Sequence, residues 1–175
     1  MEIVTVSDYN PLWKKEYETE REKIIKELNG ILIGIEHIGS TSIPGLSAKP
    51  IIDIMVGVKS LEDVTDVYKE GLYIIGYEYV EHANFPHRRF FRKGEWRAGT
   101  HHLHIYEFEG VHWNNNLFFK EYLINNREAK EEYSKLKKEL EQQYKHDRVG
   151  YTKAKEPFIE GIMKKIKFET NKESL

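Results

Sequence analysis

The spacing of apolar residues predicts a chain that begins with a helix and continues into short strands. Residues 10–30 carry aromatic and aliphatic side chains at helical spacing, with Asn-Pro at the start and Asn-Gly at the end. Residues 31–38 and 51–58 are short runs rich in β-branched side chains, which are typical of strands. The segment Ser-Leu-Glu-Asp at Ser60 resembles a capping box and predicts a second helix.

The remainder of the chain divides into a β-rich stretch and a helical third. Glycine and proline separate three strand candidates, at residues 77–81, 88–92 and 100–107. Helical periodicity then predicts three helices, at residues 114–124, 128–144 and 153–168. Adjacent strand pairs between helices do not fit a doubly wound parallel sheet. We therefore predict an α+β fold, in which one domain over residues 1–175 has a mixed sheet, flanking helices and a helical C-terminal third.

Alternation within the predicted strands gathers three polar side chains on one face. Asp53 points away from Ile54 and its apolar neighbours, and His102 and His104 point away from Leu103. If both strands belong to one sheet whose apolar face is covered by helices, the carboxylate and the two imidazoles emerge together on the other face.

Composition excludes several classes of function. The 175 residues contain no cysteine, so disulfides, thiolate zinc sites and cysteine nucleophiles are ruled out. Basic and acidic residues number 27 and 29, a balance that gives no support for broad binding to nucleic acid or membranes. No apolar run approaches the ~20 residues of a membrane span, and a cytoplasmic protein is expected. The oligomeric state stays open.

A loop between two predicted strands carries the candidate chemistry. Gly39 and Ser40 end the first strand, and twelve residues separate them from Asp53. Glycine lets a ligand approach the backbone, and the hydroxyls of Ser40, Thr41 and Ser42 suit a phosphate. Asp53 on the neighbouring strand suits a cation that bridges phosphate oxygens. An ordinary strand-ending turn is the alternative, and the spacing is not that of a Walker A loop.

Gly-Ser followed at this distance by an aspartate among hydrophobic residues resembles the signature of the DNA polymerase β-type nucleotidyltransferase superfamily. Within it, residues 35–46 and 48–54 resemble the GrpB family. The resemblance continues through residues 89–91, 102–104, 113–114 and 151–159. It implies the nucleotidyltransferase fold, with Gly39 and Ser40 on the phosphates of a nucleoside triphosphate. It also implies that Asp53 is the first metal-binding carboxylate and the catalytic residue.

The chain departs from the superfamily pattern at Met55, where active members carry a second carboxylate. A thioether is a poor ligand for Mg²⁺. Two functions therefore stay open. One is transfer of a nucleotidyl group from a nucleoside triphosphate to an acceptor, assisted by divalent Mg, Mn or Zn. The other is a non-catalytic domain that binds a nucleotide, another phosphate-bearing small molecule or a metal.

Further residues complete the candidate site, and each has a structural alternative. Asp53, His102 and His104 are candidate metal ligands, although strand histidines commonly bond to their neighbours instead. Cationic side chains that suit phosphate are the other group, with solvent exposure or surface ion pairs as the alternative. These are Lys49, Arg88, Arg89 and Lys155.

Overall fold

The computed structural model describes residues 3–81, 84–95 and 98–173. Its five helices are α1 (Leu12–Glu27), α2 (Asp66–Ile74), α3 (Val111–Asn125), α4 (Arg127–Gln143) and α5 (Arg148–Glu173). Its five strands are β1 (Leu32–Ile38), β2 (Ile52–Val58), β3 (Tyr77–Val80), β4 (Arg89–Glu95) and β5 (Ala98–Glu107). The predicted α+β class is confirmed.

The strands form one mixed sheet in the order β1-β2-β5-β4-β3. The central pair, β2 and β5, is parallel, and the other three pairs are antiparallel. In the parallel register Asp53 lies opposite His102, and Met55 lies opposite His104. The sheet therefore places the predicted carboxylate and imidazoles side by side.

One face of the sheet packs against α1 and α2 and forms the main core. Ile54, Phe91, Leu103 and Ile105 project from three neighbouring strands into this layer and are fully buried. Trp13 of α1 and aliphatic residues of both helices pack against these strand residues and cover this face of the sheet. Because side chains alternate along each strand, burial of this face directs Asp53, His102 and His104 to the other.

The C-terminal helices lie over part of that other face. Gly34 and Gly57 leave room for the rings of Phe108 and Trp113, which would overlap with a Cβ at either glycine. Helix α3 can therefore approach the backbones of β1 and β2 closely. In the bundle of α3, α4 and α5, Tyr133 stacks on Phe158 at 4.6 Å between ring centroids.

Several element boundaries differ from the sequence prediction, and three of them bear on the architecture. The capping box at Ser60 is present, but it caps a short 3-10 turn, and α2 begins only at Asp66. Gly94 lies inside β4 at a register shift with φ 106°, so it continues the strand instead of ending it. Helix α5 begins at Arg148 and runs through Pro157. None of the helices in the described ranges is both long and apolar enough to cross a membrane.

A buried carboxylate ties α1 to the far edge of the sheet. Glu20 is 5% exposed and accepts hydrogen bonds from Lys23 of its own helix, from Tyr77 of β3 and from Lys93 of β4. Burial alone would raise the pKa of Glu20, but these three donors outweigh it and lower the pKa to about 2. The charge of Glu20 therefore stabilises the contact between α1 and β3–β4.

We expect Glu20→Gln to lower the free energy of unfolding at neutral pH by about 3 kcal/mol, because two lysines lose their buried partner. The folded pKa lies below the ordinary value of 4.5, so the stabilisation is complete above pH 4.5 and is lost as the pH falls towards about 2. Urea unfolding of both proteins across this window tests the expectation, with the exposed Glu22→Gln as control. A loss that is equal at every pH would contradict it.

Candidate functional site

The turn after β1 is built around Gly39. This residue has φ 70°, a left-handed conformation that suits glycine, and it precedes a 3-10 turn over Ser40–Ser42. A Cβ at Gly39 would overlap with the carboxylate of Asp53. Both the backbone conformation and the close approach of β2 therefore require glycine at this position.

Two of the predicted phosphate-binding hydroxyls hold this turn together. Ser42 Oγ donates to the Gly39 carbonyl at 2.7 Å, and Thr41 Oγ1 donates to the Ile51 carbonyl at 3.0 Å. Because the Thr41 proton is committed, Thr41 accepts at 3.0 Å from Nε2 of His37, which identifies the protonated ring nitrogen. Burial, with a contribution from Lys120, lowers the pKa of His37 to about 4 and keeps it neutral. The structure gives Thr41 and Ser42 positioning roles within the turn.

Asp53 forms hydrogen bonds with both predicted histidines. Its Oδ1 lies 3.1 Å from His102 Nδ1 and 3.4 Å from His104 Nε2. Burial alone would raise the pKa of Asp53, but the two imidazole contacts outweigh it and hold the pKa well below its usual value. The carboxylate is therefore ionised at neutral pH.

Arg88 fixes the protonation of His104. Its guanidinium, which can only donate, lies 3.4 Å from His104 Nδ1, so that nitrogen is the acceptor. The ring proton then resides on Nε2 and points at Asp53. Burial lowers the pKa of His104 against the opposing effect of Asp53, which agrees with a neutral ring.

The donor set partly fits a divalent metal. One ligand atom from each of Asp53, His102 and His104 lies within 4.8 Å of the others. A carboxylate with two imidazoles suits Zn²⁺ or Mn²⁺ better than Mg²⁺. Asp53 fits this role directly. Nδ1 of His102 donates to the ionised carboxylate, so its proton must move to Nε2 before Nδ1 can ligate a metal. For His104 to ligate through Nε2, its proton must move to Nδ1, and Arg88 must then withdraw from that nitrogen.

A cationic cavity of about 210 Å³ opens beside Asp53, between the Gly39 turn and the last two helices. Four basic side chains line it, against one carboxylate. The complete lining is Ser40, Thr41, Lys49, Ile51, Asp53, His102, Lys137, Arg148, Tyr151, Thr152 and Lys155. An excess of cationic groups with hydroxyls in a small cavity favours a phosphate-sized anion.

Lys137 is the cavity residue that sequence reasoning missed most clearly. It is 1% exposed, donates to Ser40 Oγ at 3.0 Å and lies 4.4 Å above the Tyr133 ring. Burial, with a contribution from Lys155, lowers the pKa of Lys137 to about 6. Its position between Tyr133 and Leu140 in the apolar stripe of α4 is a signal that the sequence does contain, since a lysine there must be buried.

The remaining predicted cations divide between two places. Lys49 and Lys155 line the cavity and lie over the same Tyr151 ring, at 5.8 and 4.5 Å from its centroid. Arg88 reaches the site through His104. Arg89, by contrast, donates to the Pro86 carbonyl and lines a separate cavity, because strand alternation turns it to the opposite face. The structure does not bring Arg89 to Asp53.

The position of the missing second carboxylate is closed. Met55 is fully buried beneath α3, in contact with an apolar cluster that includes Ile38 and Trp113, with Tyr106, Phe108 and Leu117 packed against it. A carboxylate at this position would lie among these side chains, where a charge is costly to bury. Met55 therefore fills the core beneath α3.

We expect Gly39→Ala to lower the free energy of unfolding by about 2 kcal/mol, because alanine disfavours the left-handed conformation and its Cβ displaces the Asp53 carboxylate. Gly161→Ala is the matched control, since nothing lies within 4 Å of its new Cβ in α5. That variant should gain up to about 1 kcal/mol through helix propensity. Denaturant unfolding of both variants measures the contrast, and equal stabilities would contradict the role of Gly39.

We expect Met55→Asp to lower the free energy of unfolding by about 3 kcal/mol or more, because the new charge is buried among aromatic and aliphatic groups. Met55→Leu keeps the volume and should lose less than about 1.5 kcal/mol. Thermal unfolding in the presence and absence of Mg²⁺ compares the two variants. An aspartate variant as stable as the natural protein, with new Mg²⁺ affinity, would show that α3 leaves room for a second metal ligand.

Comparison with solved structures supports the architecture. The crystal structure of the conserved protein GrpB from Enterococcus faecalis matches with a TM-score of 0.85 and 37% identity, over 93% of this chain and 96% of that chain. A crystal structure of the Cid1 poly(U) polymerase matches with a TM-score of 0.56 over 85% of this chain and 49% of its own, at 14% identity. The second likeness shows a shared nucleotidyltransferase-like fold.

Sequence comparison agrees with the fold. The glutamate-rich protein GrpB of Alkalihalophilus pseudofirmus is 34% identical over 168 residues, which cover 94% of this chain and 96% of that protein. The family model described as GrpB protein matches residues 3–165. The motif around Gly39 and Asp53, the mixed sheet and these matches agree, and the chain belongs to the GrpB family.

Proposed function

We propose that the cavity beside Asp53 binds the phosphate groups of a nucleoside triphosphate or a related phosphate-bearing small molecule, with a divalent metal at its edge. One observation carries this proposal: the cations Lys49, Arg148 and Lys155 surround the cavity, together with the amine of Lys137, against the single carboxylate of Asp53. The chain as a whole has a net charge of −2, so general basicity does not explain the cluster.

The Gly39 turn, the last two helices and the sheet contribute different groups to binding. The Gly39 turn brings the Ser40 hydroxyl to one wall, and α4 and α5 supply lysine and arginine to the other. Asp53 and His102 would hold Mn²⁺, Zn²⁺ or Mg²⁺ at the sheet. The metal would supply positive charge to phosphate oxygens and leave the lysines to neutralise the rest.

Binding without two-metal nucleotidyl transfer is the function that we favour. Transfer by the superfamily pattern needs a second carboxylate on the strand face of Asp53, and burial of Met55 beneath α3 removes that position. Nucleotidyl transfer to an acceptor is the second candidate. It is supported by the fold shared with the protein named Cid1 poly(U) polymerase.

We expect Lys155→Met to weaken binding of ATP and of inorganic triphosphate by about tenfold or more, because a partly buried charge-assisted contact is lost. Lys153→Met removes an exposed lysine two residues earlier on α5 and should leave the affinity within about twofold. Calorimetry with both ligands, with and without Mn²⁺, measures the effect.

The same titrations identify which part of the ligand is recognised. Equal affinity for ATP and inorganic triphosphate would assign recognition to the phosphates, as the cavity lining suggests. Absence of binding to either ligand in the natural protein, or an equal loss in the two lysine variants, would overturn the proposed function.

A further inference from the structure

A serine and a lysine meet at the floor of the phosphate cavity. Nζ of Lys137 lies 3.0 Å from Oγ of Ser40, and both residues line the cavity. The two come from distant parts of the chain, since Ser40 follows β1 and Lys137 lies in the middle of α4. The left-handed Gly39 sets the direction in which Ser40 leaves the strand.

The surroundings of Lys137 differ from those of an ordinary ion pair. Its hydrogen bond is to a neutral hydroxyl, and its Nζ lies 4.4 Å above the centroid of the Tyr133 ring. The charged or titratable groups that line the cavity with it come from the loop before β2, from β2, from β5 and from α5. They are Lys49, Asp53, His102, Arg148, Tyr151 and Lys155. Burial and the neighbouring Lys155 disfavour the ammonium form, which leaves an amine able to accept a proton.

We propose that Ser40 is a nucleophile towards phosphorus and that Lys137 is its general base. This inference rests on the proposed phosphate-binding function and assigns a reaction to the same site. Serine with a neutral lysine is a recurrent arrangement for activating a hydroxyl, because the amine removes the proton as the oxygen attacks. The substrate class is a phosphate ester or anhydride whose phosphoryl group occupies the cavity.

The step balances without a further reagent. Ser40 Oγ forms a bond to phosphorus, its proton passes to Lys137 Nζ, and the bond from phosphorus to the leaving oxygen breaks. The resulting ammonium returns the proton to the leaving oxygen. Lys49, Arg148 and Lys155 face the same space and would balance charge on the non-bridging oxygens. An anion in the cavity also raises the pKa of Lys137 towards neutrality, where a general base is most effective.

A fluorophosphonate probe tests the pair directly. Attack by Ser40 displaces fluoride and leaves a stable phosphonyl adduct, which intact-mass measurement and peptide mapping locate on the chain. We expect a single adduct at Ser40 in the full chain, and no such adduct in Ser40→Ala. The labelling rate should fall as the pH drops below about 6, because the protonated lysine no longer accepts a proton.

Variants of the base separate chemistry from folding. Lys137→Met should slow labelling by about 100-fold and abolish the pH dependence. Lys137→Arg keeps a cation in the cavity but lacks a general base, so its labelling should also be slow and independent of pH. Lys138→Met, which removes the exposed neighbouring lysine bonded to Asp8, should label like the natural protein. If Lys137→Met does not fold, Lys137→Arg and the pH profile of the natural protein carry the test.

The outcomes distinguish this inference from the function on which it rests. Triphosphate binding by calorimetry without a Ser40 adduct would overturn the serine–lysine assignment and leave the binding function standing. An adduct that forms equally fast in Lys137→Met, or at a rate independent of pH, would overturn the role of Lys137. An adduct at Ser40 with no affinity for triphosphate would support the pair and overturn the phosphate ligand.

Discussion

The buried charge of Asp53 is the constraint on which the site depends. A carboxylate on a central strand must find partners, and the parallel pairing of β2 with β5 supplies two imidazoles at adjacent positions. Arg88 then orients the second imidazole. On the other side, the carboxylate lies so close to the preceding turn that only glycine fits at position 39. Three features therefore follow from the need to partner the Asp53 carboxylate. They are the strand register, the protonation of His104 and the turn that presents Ser40.

The sequence predicts this centre well because its members are related by simple alternation. Asp53, His102 and His104 each stand opposite apolar neighbours on the same strand, so a sheet with one covered face gathers them. The cavity wall formed by Lys137 and Arg148 is a different case. These residues reach the site only because α4 and α5 fold back over the Gly39 turn. The spacing of apolar residues along the chain does not predict such a tertiary contact. Arg89 illustrates the opposite error, because the sequence predicts it in the site and the structure places it elsewhere. A shift of one residue along a strand moves a side chain to the other face.

Helix α3 divides the polar face of the sheet into two regions. Over Gly34 and Gly57 it lies so close to the sheet that aromatic rings contact the strand backbone, and Met55 is buried beneath it. Beyond its reach, at Asp53 and His102, the face stays open to the cavity. Methionine at position 55 and the approach of the helix agree with each other, because an apolar residue is what the underside of α3 requires. The shared fold thus supports a site whose chemistry comes from one side of the sheet and from the helical third.

Lys137 and Lys155 stand on neighbouring helices and face the same cavity, so protonation of Lys137 sets two positive charges against each other across the contact between α4 and α5. A bound anion reverses the sign of that interaction, since each helix is then attracted to the charge between them. The ligand is in this sense a structural counter-ion as well as a chemical partner. Occupancy of the cavity and cohesion of the C-terminal helices are thermodynamically linked, so each strengthens the other.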